Sequence, residues 1–375
     1  MFSIWEKNSF SNTTDLVVVG SGITGLFTAL HYHRAHPEHS VLVLERGNHP
    51  VGASVKNAGF ACFGSPSELL RDIATEGAAV ALTRVEERWR GLQELRAELG
   101  DRRIGFEPVG GYELFAMDSP LYPKVADGMV ELNRALFDIM GKTVFSWKDE
   151  RIRELELHAG HLSFNAMEGA VDSGMLMRTL LEKVRSGGVE VRFNSPVASW
   201  EDKGNGVELQ LSDGQAIAAS RVVFATNGFT RDLLPQCDVL PGRGQVLLTS
   251  EIPGLKLKGT FHINEGYYYF RHYQGRVLFG GGRDLDKAGE TTLEEGTTPM
   301  IQGALEEMLR DVILPGKAFT IDQRWSGVMG FRSNGGPPMV EALSPHAVVA
   351  AGLGGIGVAI GIRIAHRAAG LVASL

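Results

Sequence analysis

The segment Gly20-Ser21-Gly22-Ile23-Thr24-Gly25 lies between an apolar run, residues 15–20 (DLVVVG), and a helical pattern over residues 24–35. An apolar run of strand length without polar alternation suits a parallel strand buried on both faces. Leu26, Phe27, Ala29 and Leu30 give the helix an apolar side, and Pro37 closes it. Residues 40–45 (SVLVLE) form a second buried strand, which completes a β-α-β unit. In such a unit Gly20 makes the tight turn, Gly22 admits a ligand to the backbone, and Gly25 lets helix and strand pack closely. Ser21, Ile23 and Thr24 complete a loop whose free amides and positive helix end attract phosphate. Glu45 ends the next strand, 25 residues after Gly20. A carboxylate there accepts from ribose hydroxyls and disfavours a 2′-phosphate. A dinucleotide is the expected ligand.

The rest of the chain alternates helices and strands. Residues 66–100 read as charged helix, 110–116 (GGYELFA) as a strand, and 121–140 as helix. Asp172 or Ser173 caps a helix that runs to Arg185 and stops at Gly187-Gly188. A strand follows at 189–193. Residues 197–200, 207–211 and 215–218 read as antiparallel strands, and 221–225 as a separate buried strand. Residues 244–251, 259–262, 267–272 and 276–280 read as antiparallel sheet, and 294–311 as helix. The end of the chain repeats the opening grammar: a strand at 347–351, the glycine loop Gly352-Leu-Gly-Gly-Ile-Gly357, then a helix over 358–375. Parallel strands at both ends, with antiparallel material between, imply an α/β protein in two parts. The first is a discontinuous Rossmann-like domain at 1–85, 150–240 and 325–375. The second is a substrate domain with a mainly antiparallel sheet at 86–149 and 241–324.

Composition excludes several classes. The net charge is −7 and no Lys/Arg cluster occurs, so no nucleic-acid partner is expected. The longest apolar stretch, 347–362, is broken by glycines and falls short of the roughly 20 residues of a membrane span. The opening residues, MFSIWEKNSF, form part of a polar arm and lack the basic and apolar regions of a signal peptide. Two cysteines without a CxxC point to a reducing cytoplasm, and Cys62 reads as a small buried filler. The histidines, His262 and His272 among them, show no metal-ligand spacing, so no metal is expected.

The glycine fingerprint alone does not choose between NAD and FAD. Two segments favour FAD. One is Gly52-Ala-Ser-Val-Lys-Asn-Ala-Gly-Phe60, whose small side chains let a backbone run along an extended ligand. The other is the terminal loop, whose amides and helix dipole suit negative charge on a reduced flavin; helix-to-strand packing is its plainer use.

Taken in order, these motifs, with Glu45-Arg46, Ala225-Thr-Asn-Gly228, Trp325-Ser-Gly327 and Pro337-Pro338, resemble the D-amino-acid-oxidase superfamily of FAD enzymes. Within it the likeness is to the glycine and sarcosine oxidases and the gamma-glutamylputrescine oxidase-like amine oxidases. It spans the whole chain. It implies noncovalent FAD, because no cysteine lies at 325–338, where sarcosine oxidases attach their flavin. It implies a FAD domain with an antiparallel sheet over the flavin, and oxidation of a C–N bond. Hydride passes from carbon to flavin N5, the resulting imine hydrolyses, and oxygen or another acceptor reoxidises the flavin. The implied cofactor set is the loop Gly20 to Gly25, Glu45, Arg46, Ala53, Ser54, Lys56, Asn57, Ala58, Gly59, Val197, Thr226, Asn227, Gly228, Gly354, Gly355, Ile356 and Gly357.

On the substrate side, Tyr267 matches a strand whose Tyr contacts substrate in glycine oxidase-like enzymes. It is taken as catalytic and substrate-binding, with an aromatic sheet core as the alternative. Tyr269, two residues on, is expected on the same strand face. Arg271 either holds an anionic substrate group or pairs with a carboxylate. Lys56 is either an ammonium near flavin N5 or a surface lysine paired with an acid. Two departures bear on the substrate. In glycine oxidase-like members an Arg that binds the substrate carboxylate follows the Trp-x-Gly-Leu segment, and Met329 stands there here. A second Arg falls in the terminal glycine segment, and Gly355 stands there here. A bidentate Arg is the natural carboxylate clamp. Its loss leans towards an amine or N-substituted substrate, with Arg332 as the compensating candidate. Competing classes are a non-catalytic FAD-binding protein, the flavin domain of a tRNA-modifying enzyme and an NAD-dependent dehydrogenase. The acidic balance argues against the second, and the paired glycine segments against the third.

Overall fold

The computed structural model describes residues 3–5 and 13–375; the remainder of the amino-terminal arm, 1–2 and 6–12, lies outside the described residues. The chain divides into two compact units, Met1–Val55 with Gly174–Pro241 and Met329–Leu375, and Lys56–Ser173 with Gly242–Val328. Residues 56–85, 150–173 and 325–328, expected in the nucleotide domain, therefore fall in the second unit, and Pro241, expected in the substrate domain, falls in the first. Pairing and packing hold them there. Strand His161–Asn165 is hydrogen-bonded between Gly111–Phe115 and Phe145–Trp147. Helix Pro66–Glu76 contributes Leu69 to a core with Phe63, Val85, Leu132 and Leu136.

The first unit holds a sheet in the order Met339–Ser344, Ala347–Ala351, Ala216–Phe224, Thr14–Val19, Val41–Leu44, Glu190–Arg192. All these pairings are parallel except that of Met339–Ser344 with Ala347–Ala351. Residues 215–218 and 221–225, expected as two strands, are one: Ala216–Phe224. Its first half pairs antiparallel with Val207–Leu211 and its second half parallel with Thr14–Val19. The central strands are apolar on both faces because helices cover them. Leu16, Val17 and Val18 have no exposed surface. Helix Ile23–Ala35 and the terminal helix Gly357–Ala373 pack against each other. At their contact a Cβ on Gly361 would lie 2.7 Å from Ile23 Cγ2. The segment Gly354–Ser374 is the one among the described residues long and apolar enough to cross a membrane, yet half of it is buried inside the protein. Val358, Ile362, Ala365 and Val372 lie in the core, which accounts for its composition.

The second unit holds a sheet in the order Ile321–Phe331, Leu240–Thr249, Arg276–Gly281, Tyr268–Tyr273, Thr260–Ile263, Gly111–Phe115, His161–Asn165, Phe145–Trp147. Thr260–Ile263 with Gly111–Phe115 is a parallel pair within otherwise antiparallel neighbours. One sheet face buries Phe261, Phe270 and Phe279 against Ile301, Leu305 and Leu309. Two helix expectations shift. The helix over 66–100 breaks at Gly77, whose φ of 87° ends Pro66–Glu76 before Ala78–Leu99 begins. The helix expected from 294 starts at Pro299, a residue suited to a first turn because it has no amide hydrogen to leave unpaired.

Two of the terminal helix's glycines, Gly361 and Gly370, differ in use. Gly361→Ala should lower the thermal unfolding midpoint, because overpacking costs about 1–3 kcal/mol. Gly370 has nothing within 4 Å of an added Cβ. Gly370→Ala should raise the midpoint, since Ala is favoured over Gly in a helix by about 1 kcal/mol. Equal midpoints for the two variants would contradict this packing.

Candidate functional site

The residues of the glycine loop touch one another so closely that side chains are excluded. Gly20 has a φ of 107°, and a Cβ there would lie 2.7 Å from the Ala225 carbonyl oxygen. A Cβ on Gly25 would lie 1.9 Å from the Gly20 carbonyl oxygen. The helix can therefore begin directly over the strand end. Glu45 is buried beside this loop. Its Oε2 accepts from Ser21 N at 3.1 Å and Ser21 Oγ at 2.5 Å, and its Oε1 accepts from Gly47 N at 3.0 Å. A carboxylate has about four lone-pair directions, so acceptor capacity remains for a ribose hydroxyl. Ser54 Oγ accepts from Ile23 N at 3.0 Å and ties the Ala53–Lys56 turn to the helix start. The Arg46 guanidinium lies 3.7 Å from the centroid of the Phe229 ring, next to Thr226-Asn227-Gly228.

Asn227 joins that segment to the terminal loop. It adopts a left-handed φ of 45°, and its Oδ1 accepts from Gly352 N at 3.2 Å and Leu353 N at 3.3 Å. Gly354, Gly355 and Ile356 form a single 3₁₀ turn that leads into the helix at Gly357. Gly355 has no atom within 4 Å of a built Cβ. Val197 starts strand Val197–Asp202 and packs on the core of the first unit. A tight glycine cradle, a helix amino terminus and an acid held at the next strand end fit the pyrophosphate and ribose of a dinucleotide.

In the second unit the strand Tyr268–Tyr273 organises the substrate-side residues. Tyr269 packs with Ala58, Phe60, Val246, Leu278 and Trp325. Burial pushes the Tyr269 phenol up to about 12, so it is a neutral donor at ordinary pH. Tyr267 does not share this face. Asn264, Glu265 and Gly266 all take positive φ, and this turn ends before the strand begins at Tyr268. Tyr267 packs instead with the Phe261–Phe270 core on the opposite side. Arg271 takes neither role expected of it. It is 4% exposed, and one guanidinium nitrogen donates to Gly59 O at 2.6 Å and Val171 O at 2.8 Å. It clamps the backbone that follows Lys56 and Asn57; Asn57 Oδ1 in turn accepts from Gly59 N at 2.9 Å. Burial lowers the pKa of Arg271.

Lys56 forms an ion pair with Glu295, and its carbonyl accepts from Trp325 Nε1 at 2.9 Å. Its ammonium is thus paired with an acid, and its side chain is partly buried. Arg332 is also engaged, with Nε 3.2 Å from Asp238 Oδ2 and its guanidinium 3.8 Å from Glu341. Met329 lies on strand Ile321–Phe331. Cys62 and Cys237 are free and buried, and burial raises the Cys62 thiol well above its ordinary value. Three residues without an expected metal role, His36, Glu38 and His39, bring ligand atoms within 4.8 Å of one another after the first helix.

Sequence reasoning did not single out Glu295, Phe60 or the buried pair Arg243–Glu290. Arg243 Nε and Nη2 reach the two Glu290 oxygens at 2.9 and 2.7 Å. This pair anchors the segment that carries Glu295. The partners lie 47 residues apart in the chain, and no local pattern marks them.

These features define an α/β flavoprotein with a dinucleotide-binding unit and a separate antiparallel unit. Residues 15–371 match the FAD dependent oxidoreductase (DAO) family, and the chain belongs to it. Similar proteins include mitochondrial dimethylglycine dehydrogenase of Rattus norvegicus, 23% identical over 294 residues, covering 74% of this chain and 32% of that protein. N-methyl-L-tryptophan oxidase of Yersinia pestis (strain Pestoides F) is 24% identical over 238 residues, covering 61% of this chain and 57% of that protein. The chain thus spans about a third and just over half of these two relatives. The structure of glycine oxidase from Geobacillus kaustophilus shares the fold, with a TM-score of 0.76, 20% identity, and coverage of 97% of this chain and 95% of that one.

Glu45→Ala should weaken FAD binding. It removes the acceptor of Ser21 and Gly47 amides and the carboxylate offered to ribose. A hydrogen bond to a charged group contributes about 1.5–3 kcal/mol, so the dissociation constant should rise about tenfold or more. Titration of the apoprotein with FAD measures it; unchanged affinity would remove Glu45 from the cofactor set.

Proposed function

We propose that the protein oxidises a C–N bond of an amine or an N-substituted amino acid, giving an imine that hydrolyses, with FAD held noncovalently. The observation that carries this reading is the lack of an available carboxylate clamp. Arg271 is spent on backbone carbonyls and Arg332 on Asp238, while Met329 and Gly355 stand where relatives place arginines. The family's relatives include proteins named for dimethylglycine and N-methyl-L-tryptophan, both N-methylated α-amino acids, which support the N-substituted arm of this reading. An α-amino acid, N-substituted or not, has a carboxylate to be met by a cation; an amine has none, so the engaged arginines support the amine arm.

Bound FAD supplies the acceptor for a hydride and its electron pair. The chain's own residues hold and shape. The glycine loop and the helix amino terminus take the pyrophosphate, and Glu45 takes the ribose. Tyr269, neutral and on the face with Phe60 and Trp325, offers a phenol donor to substrate. Arg271 fixes the Gly59 backbone. Lys56, held by Glu295 and by the indole of Trp325, carries a cation next to that segment and is assigned to reoxidation by oxygen or another acceptor. A reducing cytoplasm belongs to the same reading, with both cysteines free and buried.

An anaerobic screen of flavin bleaching tests it. Amines or N-methyl amino acids should bleach the yellow protein, and air should restore the colour. Bleaching by unsubstituted α-amino acids alone would overturn the substrate class, and bleaching by no amine would favour a non-catalytic flavoprotein. Lys56→Met should bleach normally and recover slowly in air; normal recovery takes Lys56 out of the mechanism.

A further inference from the structure

A small polar cavity lies against the sheet of the second unit. It offers about 10 Å³ to the centres of water molecules and is lined by Ser65, Glu113, Ser163, Asn165, Glu168 and His262. That room suits about one water. None of these six residues is more than 7% exposed. They come from separate parts of the unit: Glu113 from Gly111–Phe115, Ser163 and Asn165 from His161–Asn165, His262 from Thr260–Ile263, and the others from loops. Gly111 makes room, since a Cβ there would lie 2.0 Å from Glu168 Oε2.

Part of the lining is satisfied and part is not. Glu113 accepts from Ser67 N at 3.0 Å, from Ser65 Oγ at 3.2 Å and from the Ser67 hydroxyl. Glu168 Oε1 accepts from Phe63 N at 2.9 Å and Gly64 N at 3.4 Å. Both ring nitrogens of His262 and the side-chain nitrogen of Asn165 have no partner among the described residues. A buried polar group left unpaired costs about 1–3 kcal/mol. A neutral imidazole needs one donor and one acceptor. A water can partner one of these ring nitrogens and also accept from the Asn165 amide. A metal cation would face those amide hydrogens.

The neighbouring charges come from several elements. Glu68 on helix Pro66–Glu76 is paired with Arg88 on helix Ala78–Leu99 at 3.2 Å, and the Cys62 thiol is buried close by. Burial, aided by Glu68, raises Glu113 to about 7 and Glu168 to about 8, against the pull of their serine and amide donors. Burial lowers His262 to about 4. The position is also informative. His262 pairs with Glu113 on one side and with Tyr269 on the other. Directly paired residues share a sheet face. The Phe60 ring stands edge-on to both, 5.2 Å from His262 and 5.7 Å from Tyr269.

We propose that this cavity is a proton-holding water site: one ordered water links the Asn165 amide to one ring nitrogen of His262 and to the glutamates, and two carboxylates buried against one small cavity keep a proton rather than two full charges. The site lies along the sheet face that carries Tyr269, with Phe60 as the wall between. No step of the oxidation is routed through it, so it stands or falls apart from the substrate class.

Three measurements on the FAD-loaded protein test it. A high-resolution crystal structure should show one water within hydrogen-bond distance of His262 and Asn165; an empty cavity overturns the proposal. Infrared difference spectra taken from pH 6.5 to above pH 8 should show a protonated carboxyl band that fades, and that is reduced in Glu168→Gln. If that variant does not fold, the wild-type titration decides alone: no such band at pH 6.5 overturns the proposal. Stability against pH gives the third reading. Acids raised from 4.5 to about 7 and about 8 lose their contribution as pH rises through those values. His262, lowered from 6.5 to about 4, acts oppositely, and only below pH 6.5. Denaturant midpoints should therefore fall most clearly between pH 6.5 and pH 8 and fall less in Glu168→Gln; equal slopes in both proteins overturn the proposal.

Discussion

Gly25 sits so near the Gly20 carbonyl that no side chain fits between helix and strand, and the nucleotide-binding unit depends on that contact. The first helix starts immediately over the strand end because of it. Ser21 is then aligned with Glu45, and the helix amides are left facing outward for phosphate. Replacing hydrogen by methyl at this point would move the helix axis, and with it Ile23, which meets Gly361 of the terminal helix. A steric constraint of one atom thus sets both the ligand cradle and the core behind it.

The second unit has a different kind of anchor. Arg271 is a buried cation used as a structural donor, and Arg243 with Glu290 is a buried ion pair. A charge taken out of water needs partners, and each of these has them within its own unit. Their cost is recovered in position: Gly59 is held by Arg271, and the segment bearing Glu295 is held by Arg243. The positions of Lys56 and Tyr269, the residues proposed to act on flavin and substrate, are set in part by these buried arginines.

Much of this was legible in the sequence where local pattern decides. The strand at 347–351, the helix at 121–140 and the opening β-α-β unit follow from apolar periodicity and glycine position. Other features failed for identifiable reasons. Tyr267 and Tyr269 are two apart, and period-two alternation puts them on one face, but three consecutive left-handed residues end the turn only at Tyr268. From sequence Arg271 reads as holding an anionic substrate group or pairing with a carboxylate, and only the fold brings two backbone carbonyls to it. Residues 56–85 and 150–173 adjoin nucleotide-binding segments in sequence, yet His161–Asn165 pairs within the other sheet, Phe60–Ala61 pairs with Gly169–Ala170, and Pro66–Glu76 packs in the second unit's core. The Glu113–Glu168–His262 cluster unites residues up to about 150 positions apart, beyond any motif's reach.

The sheet of the first unit draws its central strands from opposite ends of the chain. Ala347–Ala351 pairs with Ala216–Phe224 beside Thr14–Val19, and the helix Gly357–Ala373 covers Ile23–Ala35. During synthesis the amino-terminal strand and helix leave the ribosome long before their partners exist. Their apolar surfaces must wait through the translation of more than three hundred residues, the whole second unit included. Completion of this unit therefore rests on contacts of very long sequence separation, the kind that close slowly in folding.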